Sequence, residues 1–167
     1  MISVLLHNIR SAYNVGSIFR TADASGVFSL YLSGYTPLPK DRFGKVNEKI
    51  AKTALGAENS VSWERVSLSS FLKSARAGGW SVVGVEQDAR AVDYRKYKAK
   101  KKTLLVFGNE VRGLSKSLRD ECDALIEIPM RGAMVRHADH PRHSGRGKES
   151  LNVSVAVGII LFHACGR

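Results

Sequence analysis

The sequence predicts an α/β protein, with a parallel sheet covered by helices on both faces. Apolar runs of strand length recur along the chain, and segments of helical composition separate several of them. Several of these runs are continuous rather than alternating, which is typical of strands buried on both faces of a parallel sheet. A chain of 167 residues with 44% hydrophobic content is long enough for the core of one domain and hardly for two. We therefore expect a single domain spanning residues 1–167.

The predicted elements follow from these runs. The predicted strands span residues 2–6, 29–34, 61–66, 80–86, 103–108 and 124–129. The predicted helices include residues 15–26, 47–58 and 68–79, and the last two of these end in small or glycine residues that stop helices. A last apolar segment, residues 151–166, is shorter than the roughly 20 residues that a membrane span needs. We expect it to form a buried helix.

Two basic segments interrupt this pattern. Residues 95–102, "RKYKAKKK", carry six basic residues in eight, and residues 131–149 are rich in glycine and arginine. Both are expected to be exposed loops, with 131–149 a flexible basic insertion. Each loop is either a contact for a polyanion or an ordinary solvated surface segment. Three histidines within the insertion have a spacing that suggests zinc, but Pro141 and the glycines disfavour a helix that would align them, so no metal site is expected: His137, His140 and His143.

The charge of the chain indicates the kind of partner. A net charge of +11 and a pI near 10.0 favour a polyanion over a small neutral substrate. Nucleic acid is the first candidate and an anionic membrane surface the second; the alternative is that the charge only aids solubility. The N-terminal residues lack the order of a secretory signal, and Cys122 and Cys165 have no CxxC spacing. We expect a protein of the reducing cytoplasm.

A glycine-flanked carboxylate follows the predicted strand 103–108. In an open parallel sheet, ligands bind at the carboxyl ends of strands, where "GNEVRG" (108–113) is expected to lie. Gly113 is not followed directly by Lys-Ser/Thr and no GxGxxG occurs in the chain, so a phosphate cradle is disfavoured. Glu110 would suit a neutral or cationic ligand, or an arginine partner. The plain alternative is a strand-to-helix turn with an exposed glutamate.

Asn14 and Arg20 lie six residues apart after the first strand. Asn14 is a plausible N-cap of a helix beginning at Val15, which would place Arg20 close enough to share a pocket with that helix end. The guanidinium of Arg20 would then bind a phosphate or hold a ribose. Alternatively, Asn14 only caps the helix and Arg20 pairs with Asp23 on the surface.

Ser150 and Asn152 stand at the start of the last apolar segment. Ser150 is well placed to cap the helix predicted there. Asn152, inside the first turn, needs a further partner, and its amide could receive a cofactor or a neighbouring side chain.

These segments together carry a family resemblance. The residues "NVGSIFRTADASG", "LLVFGNEVRGLS" and "IEIPM" with "SLNVSVAVGIILF" occur in the order of three motifs of the SpoU family in the SPOUT superfamily. This resemblance implies S-adenosylmethionine-dependent methylation of an RNA ribose 2′-hydroxyl, a deep C-terminal trefoil knot and a homodimer formed through the knot. It implies cofactor contacts from Gly108, Ile128, Met130 and Leu151. It also places Asn14, Arg20, Glu110, Ser150 and Asn152 at or around catalysis.

In the implied reaction, a ribose 2′-oxygen attacks the sulfonium methyl, so the correct placement of two reactants should supply most of the rate enhancement. Family accounts make the arginine the base, but a guanidinium gives up its proton reluctantly. We therefore expect Arg20 to bind the target phosphate or orient the hydroxyl, and Asn14 to hold Arg20 or the ribose. Glu110, Ser150 and Asn152 would position these groups and the cofactor.

The expected RNA is tRNA, for example an anticodon loop, with ribosomal RNA left open. Because the first motif starts close to residue 1, we expect no separate RNA-binding domain. Family members usually join "IPM" to "SLN" by a short link, whereas residues 131–149 intervene here; they are either an RNA-contacting arm or a tolerated insertion. Two alternatives to the main reading are a catalytically silent RNA-binding relative and a knotted base methyltransferase.

Overall fold

A computed structural model of the protein describes residues 1–130 and 150–166. Its strands form one sheet of seven: β1 (Ile2–His7), β2 (Ser29–Ser33), β3 (Trp63–Val66), β4 (Ser81–Val85), β5 (Val92–Asp93), β6 (Thr103–Phe107) and β7 (Ala124–Glu127). Their order is β3-β2-β1-β6-β4-β7-β5, and every neighbouring pair is parallel. The six predicted strands are confirmed. β5 was not predicted, because a strand of two residues is too short to show a period in its apolar residues.

The helices in the described residues are α1 (Ala12–Ser25), α2 (Glu48–Ala54), α3 (Ala57–Ser60), α4 (Leu68–Ala77), α5 (Lys116–Asp120) and α6 (Val153–Cys165). The prediction of one helix over 47–58 is wrong. The chain turns left-handed at Leu55 (φ 53°) and Gly56 (φ 97°), which ends α2 and starts α3. The expected loop at 95–102 is confirmed apart from a 3₁₀ turn at Tyr94–Lys96.

Helices cover both faces of the sheet, as predicted. On one face, α1, α2 and α6 pack on alternate residues of the central strands, among them Val4 and Leu105. On the other face, α4 and α5 pack on the intervening residues, such as Leu5 and Leu104. Since β1 and β6 lie in the middle of the sheet with both faces buried, their sequences read as continuous apolar runs.

The parallel arrangement determines where a site can form. The carboxyl ends of β1, β2, β4, β6 and β7 all lie at one edge of the sheet, so the segments that follow them converge there. None of the described helices is long and apolar enough to cross a bilayer. The predictions for the basic insertion 131–149 and its three histidines lie outside the described residues, and the knot stays a prediction.

Candidate active site

A cleft of about 630 Å³ opens at the carboxyl edge of the sheet. Three segments that are distant in sequence line it: the start of α1, the loop after β6 and the start of α6. Its lining residues are Arg10, Ser11, Asn14, Glu110, Ser150, Leu151, Asn152 and Val153. The structure therefore brings together four of the five residues expected at or around catalysis, together with Leu151.

Glu110 organises this cleft through three accepted hydrogen bonds. Its Oε2 accepts from the backbone N–H of Arg10 (2.8 Å), and its Oε1 accepts from the N–H of Ser11 (3.0 Å) and from Nδ2 of Asn14 (3.1 Å). Burial raises the pKa of Glu110, but the hydrogen bonds from Arg10, Ser11 and Asn14 outweigh it, and the pKa lies below its usual value. The group is therefore an ionised acceptor rather than a proton donor.

The start of α1 explains why a carboxylate is stable here. Ser11 is the N-cap, and its hydroxyl accepts from the N–H of Asn14 at 3.3 Å. Glu110 accepts the two N–H groups just before the helix, where the helix dipole also favours negative charge. The prediction of an Asn14 cap with a helix beginning at Val15 is wrong, because Ser11 already supplies the cap and α1 begins at Ala12.

Asn14 instead joins the loop after β6 to α6. Its Oδ1 accepts from Nδ2 of Asn152 at 3.3 Å, while its Nδ2 donates to Glu110. The expectation of a neighbouring side chain for Asn152 is confirmed. The expectation that Ser150 caps α6 is wrong: Asn152 is the N-cap, and its Oδ1 accepts from the N–H (2.9 Å) and hydroxyl (2.7 Å) of Ser154. The Asn14 amide is thus oriented from both sides.

Asn109, which the sequence reasoning missed, shapes the loop that carries Glu110. Its Oδ1 accepts from the N–H groups of Val111 and Arg112, both at 2.9 Å. Its Nδ2 donates to the backbone oxygen of Asn8 (3.0 Å) and to the Tyr35 hydroxyl (2.9 Å). The sequence signal that could have indicated this role is an asparagine directly after the glycine that ends a strand, because asparagine favours turns.

Glu86, at the end of β4, supports the other side of the same loop. Its Oε2 accepts from the N–H of Leu114 at 2.6 Å, and its Oε1 accepts from that of Gln87 at 3.0 Å. Between these supports, Gly113 adopts φ 62°, a left-handed conformation that favours glycine. Nothing in the local sequence links residue 86 to residue 114, so only the sheet order reveals this contact.

The four residues that the resemblance predicts to contact the cofactor do not all line the cleft. Leu151 lines the cleft, whereas Gly108, Ile128 and Met130 do not. Gly108 is buried, and a Cβ there would lie 2.5 Å from the backbone of Gly113, so the loop closes on itself at this glycine. Ile128 packs on the core below α1 and α6. The contacts expected of these three residues with a cofactor stay predictions.

Arg20 lies apart from the other predicted residues. Six residues of helix separate it from Asn14 by about 9 Å along the axis and about 120° around it, so its exposed side chain does not line the cleft. Asp23, the alternative partner, instead accepts a hydrogen bond from the Ser60 hydroxyl at 2.9 Å. In the described parts of the chain, Arg20 has no ion pair.

No group of histidine, cysteine and carboxylate side chains suited to a metal ion occurs within residues 1–130 and 150–166. Cys122 and Cys165 form no disulfide within the described residues. The cleft offers hydrogen-bonding groups, apolar surface and two charged side chains, Arg10 and Glu110.

Comparison with known proteins identifies the family. A sequence model of the SpoU rRNA Methylase family matches residues 1–135. The chain belongs to the SpoU family. It is 34% identical over 164 residues to the 23S rRNA (guanosine-2′-O-)-methyltransferase RlmB of Escherichia coli, covering 96% of this chain and 58% of RlmB.

Solved structures of SpoU-type proteins share the fold. An AdoMet-bound rRNA methyltransferase from Sinorhizobium meliloti has a TM-score of 0.78 and 32% identity, over 97% of this chain and 54% of that one. The A. aeolicus TrmH/SpoU tRNA modifying enzyme has a TM-score of 0.75 and 32% identity, over 98% of this chain and 73% of that one. The chain spans little more than half the length of the curated relatives it matches, 56% and 58% in two cases.

Proposed function

We propose that this protein transfers the methyl group of S-adenosylmethionine to a ribose 2′-hydroxyl of RNA, with tRNA as the substrate class. The observation that carries the proposal is the hydrogen-bonded series Glu110–Asn14–Asn152. It joins one residue from each of the three SpoU motifs in a single cleft at the edge of the sheet where ligands bind. Membership of the SpoU family supplies the class of chemistry.

The cleft suits the cofactor in size and chemistry. Its volume of about 630 Å³ falls within the roughly 300–1,000 Å³ of pockets for ligands of this class. Leu151 and Val153 contribute apolar surface, and the ionised Glu110 contributes the negative charge that favours a sulfonium cation. Within the cleft, Leu151 would hold it. Gly108, Ile128 and Met130 do not line the cleft, and their contacts with the cofactor are what the family resemblance implies. When bound, the cofactor supplies an electrophilic methyl group.

Asn14 is the residue best prepared to orient the ribose. One of its two amide N–H groups is committed to Glu110 and one oxygen lone pair to Asn152. One N–H and one lone pair remain at a fixed orientation, enough to donate to a ribose oxygen or to accept from the 2′-hydroxyl. Such alignment is the main contribution that the protein makes to a displacement between two bound reactants.

Arg20 would bind the phosphate beside the target ribose or orient the attacking hydroxyl as its proton leaves. Its side chain is exposed and free of ion pairs within the described residues, as a phosphate-binding guanidinium requires. Because Arg20 lies on a different side of α1 from Asn14, we assign it to the RNA rather than to the cofactor. Ser150, at the cleft rim, would position the same substrate.

A homodimer through the C-terminal region forms part of the proposal, as does the knot that the family resemblance implies. The supporting observation is an apolar strip on α6, where Val155 is 50% and Phe162 57% exposed on the same side of the helix. A copy seated on this strip would lie against α6, the helix that packs on α1. Phe162→Asp should therefore shift the protein toward monomers in sedimentation velocity, whereas Phe28→Asp, an exposed phenylalanine at the opposite sheet edge, should not.

The choice of tRNA is supported by the likeness to the A. aeolicus TrmH/SpoU tRNA modifying enzyme, at a TM-score of 0.75 and 32% identity. RlmB, at 34% identity, has a name that specifies 23S rRNA, so both RNA classes enter the test. Supplying a labelled methyl donor with total tRNA and with 23S rRNA in parallel distinguishes the two. Preferential labelling of 23S rRNA would reassign the substrate while leaving the chemistry in place.

Calorimetric titration of S-adenosylmethionine and its demethylated product is the first test. We expect saturable binding that Leu151→Trp abolishes by filling the cleft, while Leu55→Trp, at a residue 67% exposed elsewhere, leaves it intact. Digestion of the labelled RNA should then yield a 2′-O-methylnucleoside. A methylated base would indicate the knotted base methyltransferase, and RNA affinity without cofactor binding, even with RNA present, would indicate the silent relative.

A further inference from the structure

The connection between β2 and α2 contains a tight hairpin. Lys40 and Val46 form an antiparallel bridge at its base. At its tip, Oδ1 of Asp41 accepts hydrogen bonds from the N–H groups of Phe43 (2.8 Å) and Lys45 (2.9 Å). The one carboxylate of the tip is thus engaged by backbone donors, and the tip has a defined conformation.

The hairpin presents an aromatic ring to solvent. Phe43 is 80% exposed, the highest exposed fraction among the large hydrophobic side chains in the described residues. The guanidinium carbon of Arg42 lies 4.6 Å from the centre of the ring, a cation–π contact. A rigid turn that exposes a phenyl ring beside a cation is suited to binding rather than to packing.

A second aromatic ring links this surface to the candidate active site. Tyr35 is 59% exposed, and its hydroxyl accepts from Nδ2 of Asn109 in the loop that carries Glu110. The ring is therefore fixed at its hydroxyl end by the site, while more than half of the residue's surface remains exposed. Tyr35 and Phe43 belong to the same connection, before and within the hairpin.

A basic groove runs from the hairpin to the cleft. It has a volume of about 670 Å³, and its charged lining residues are three cations, Arg10, Lys45 and Lys49, and one carboxylate, Glu48. Arg10 and Ser11 line both this groove and the cleft that holds Glu110. An extended polyanion in the groove would therefore lead directly into the candidate active site.

We infer that residues 34–47 form a platform that stacks on unpaired nucleotides of the RNA and leads the strand to the cleft; this inference rests on the proposed function. Aromatic faces flanked by cations fit single-stranded nucleic acid, because bases stack on the rings while phosphates follow the positive charge. A duplex keeps its bases stacked inside and offers the rings no partner. The platform therefore selects a target within a loop or other unpaired segment.

The test measures RNA binding without a methyl donor. Fluorescence anisotropy is recorded with a labelled, unstructured oligoribonucleotide and with a duplex of the same length. Phe43→Ala should weaken single-strand binding by about 5- to 150-fold, the loss expected for one stacked base, and leave duplex binding unchanged. Phe43→Trp should retain the affinity and Phe43→Leu should lose it, because leucine keeps the apolar surface without a π face. Phe28→Ala is the matched control, since Phe28 is 54% exposed at the opposite edge of the sheet.

The salt dependence provides a second, independent readout. Arg42→Ala should reduce the slope of log affinity against log salt for the single strand by about 0.7, one phosphate contact. Lys73→Ala, which removes one exposed charge from α4, should leave the slope unchanged. Equal losses for Phe43→Ala and Phe28→Ala would overturn the inference, as would equal losses on single strand and duplex, or no RNA binding by the unaltered protein.

These outcomes are separate from failure of the proposed function. If Phe43→Ala leaves both methyl transfer to RNA and single-strand affinity unchanged, the platform is refuted and the proposed methyltransferase activity stands. If bases stack on Phe43 but the protein binds no methyl donor, the proposed methyltransferase activity is refuted and the platform stands.

Discussion

Replacing Glu110 with glutamine tests the central hydrogen-bonded arrangement of the cleft. The substitution keeps the size of the side chain but exchanges one acceptor oxygen for an NH₂ group. The glutamine oxygen can still accept from Ser11 and Asn14, but its amide nitrogen then faces the N–H of Arg10, a donor opposite a donor. The variant also removes the charge at the start of α1.

The size of the effect follows from these contacts. A hydrogen bond to a charged group contributes about 1.5–3 kcal/mol, and the charge–dipole interaction adds about 0.3–1 kcal/mol. Because Glu110 is only half-buried, water replaces part of the lost hydrogen bond and part of the lost charge–dipole interaction. We therefore expect Glu110→Gln to lower the free energy of unfolding by about 1–2 kcal/mol. For a chain of this length that corresponds to a Tm about 2–8 °C lower.

Urea unfolding followed by tryptophan fluorescence measures this loss, with Glu64→Gln as the control on an exposed glutamate of β3. The folded pKa of Glu110 lies below its ordinary 4.5. Its charge therefore stabilises the fold fully above that pH, and this stabilisation is lost as the pH falls through the lower, folded pKa. The difference between the parent protein and Glu110→Gln should shrink over that acidic range. Equal stabilities at neutral pH, or a difference that does not change with pH, would refute the reasoning.

Three further outcomes are expected. Arg20→Ala should lower the rate of methyl transfer by about 100-fold or more while calorimetric affinity for S-adenosylmethionine stays near that of the parent; lost cofactor affinity would show that Arg20 has a different role. Gly113→Ala should cost about 1–3 kcal/mol in urea unfolding, because φ is 62° and a Cβ would lie 2.0 Å from Oε2 of Glu86; Gly79→Ala, also at positive φ but with open space around it, should cost less. Burial raises the pKa of Cys122 to about 11, so mass spectrometry should detect slow alkylation by iodoacetamide in the native protein and rapid alkylation in urea.

The sheet could be predicted from the sequence because its signals are local. Runs such as "TLLVF" occupy positions buried on both faces, and each forms a strand within two residues of the predicted bounds. The break between α2 and α3 could not be predicted in the same way. Leu55 adopts a left-handed conformation that leucine rarely takes, so the residue at that position gives no signal of the break.

The candidate site was predictable as a set of residues and less so in its contacts. The motifs indicated Asn14, Glu110 and Asn152, and these meet in one cleft. The predicted N-cap residues of α1 and α6 were both wrong. Ser11 and Asn152 are the N-caps, and equally good capping residues lie near each of them in the sequence. The support from Glu86 depends on β4 lying beside β6, which no local pattern reveals.

The central position of β1 has a consequence for how the chain folds during synthesis. β1 pairs on one side with β2, which follows it closely, and on the other with β6, about a hundred residues later in the chain. At translation rates of about 5–20 residues per second, the second partner emerges about 5–20 seconds after the first strand. During that interval an apolar strand edge is unpaired, and such edges associate readily with other chains. Chaperone binding to nascent chains, and aggregation when synthesis stalls before β6, are therefore expected to focus on a strand that lies in the interior of the finished sheet.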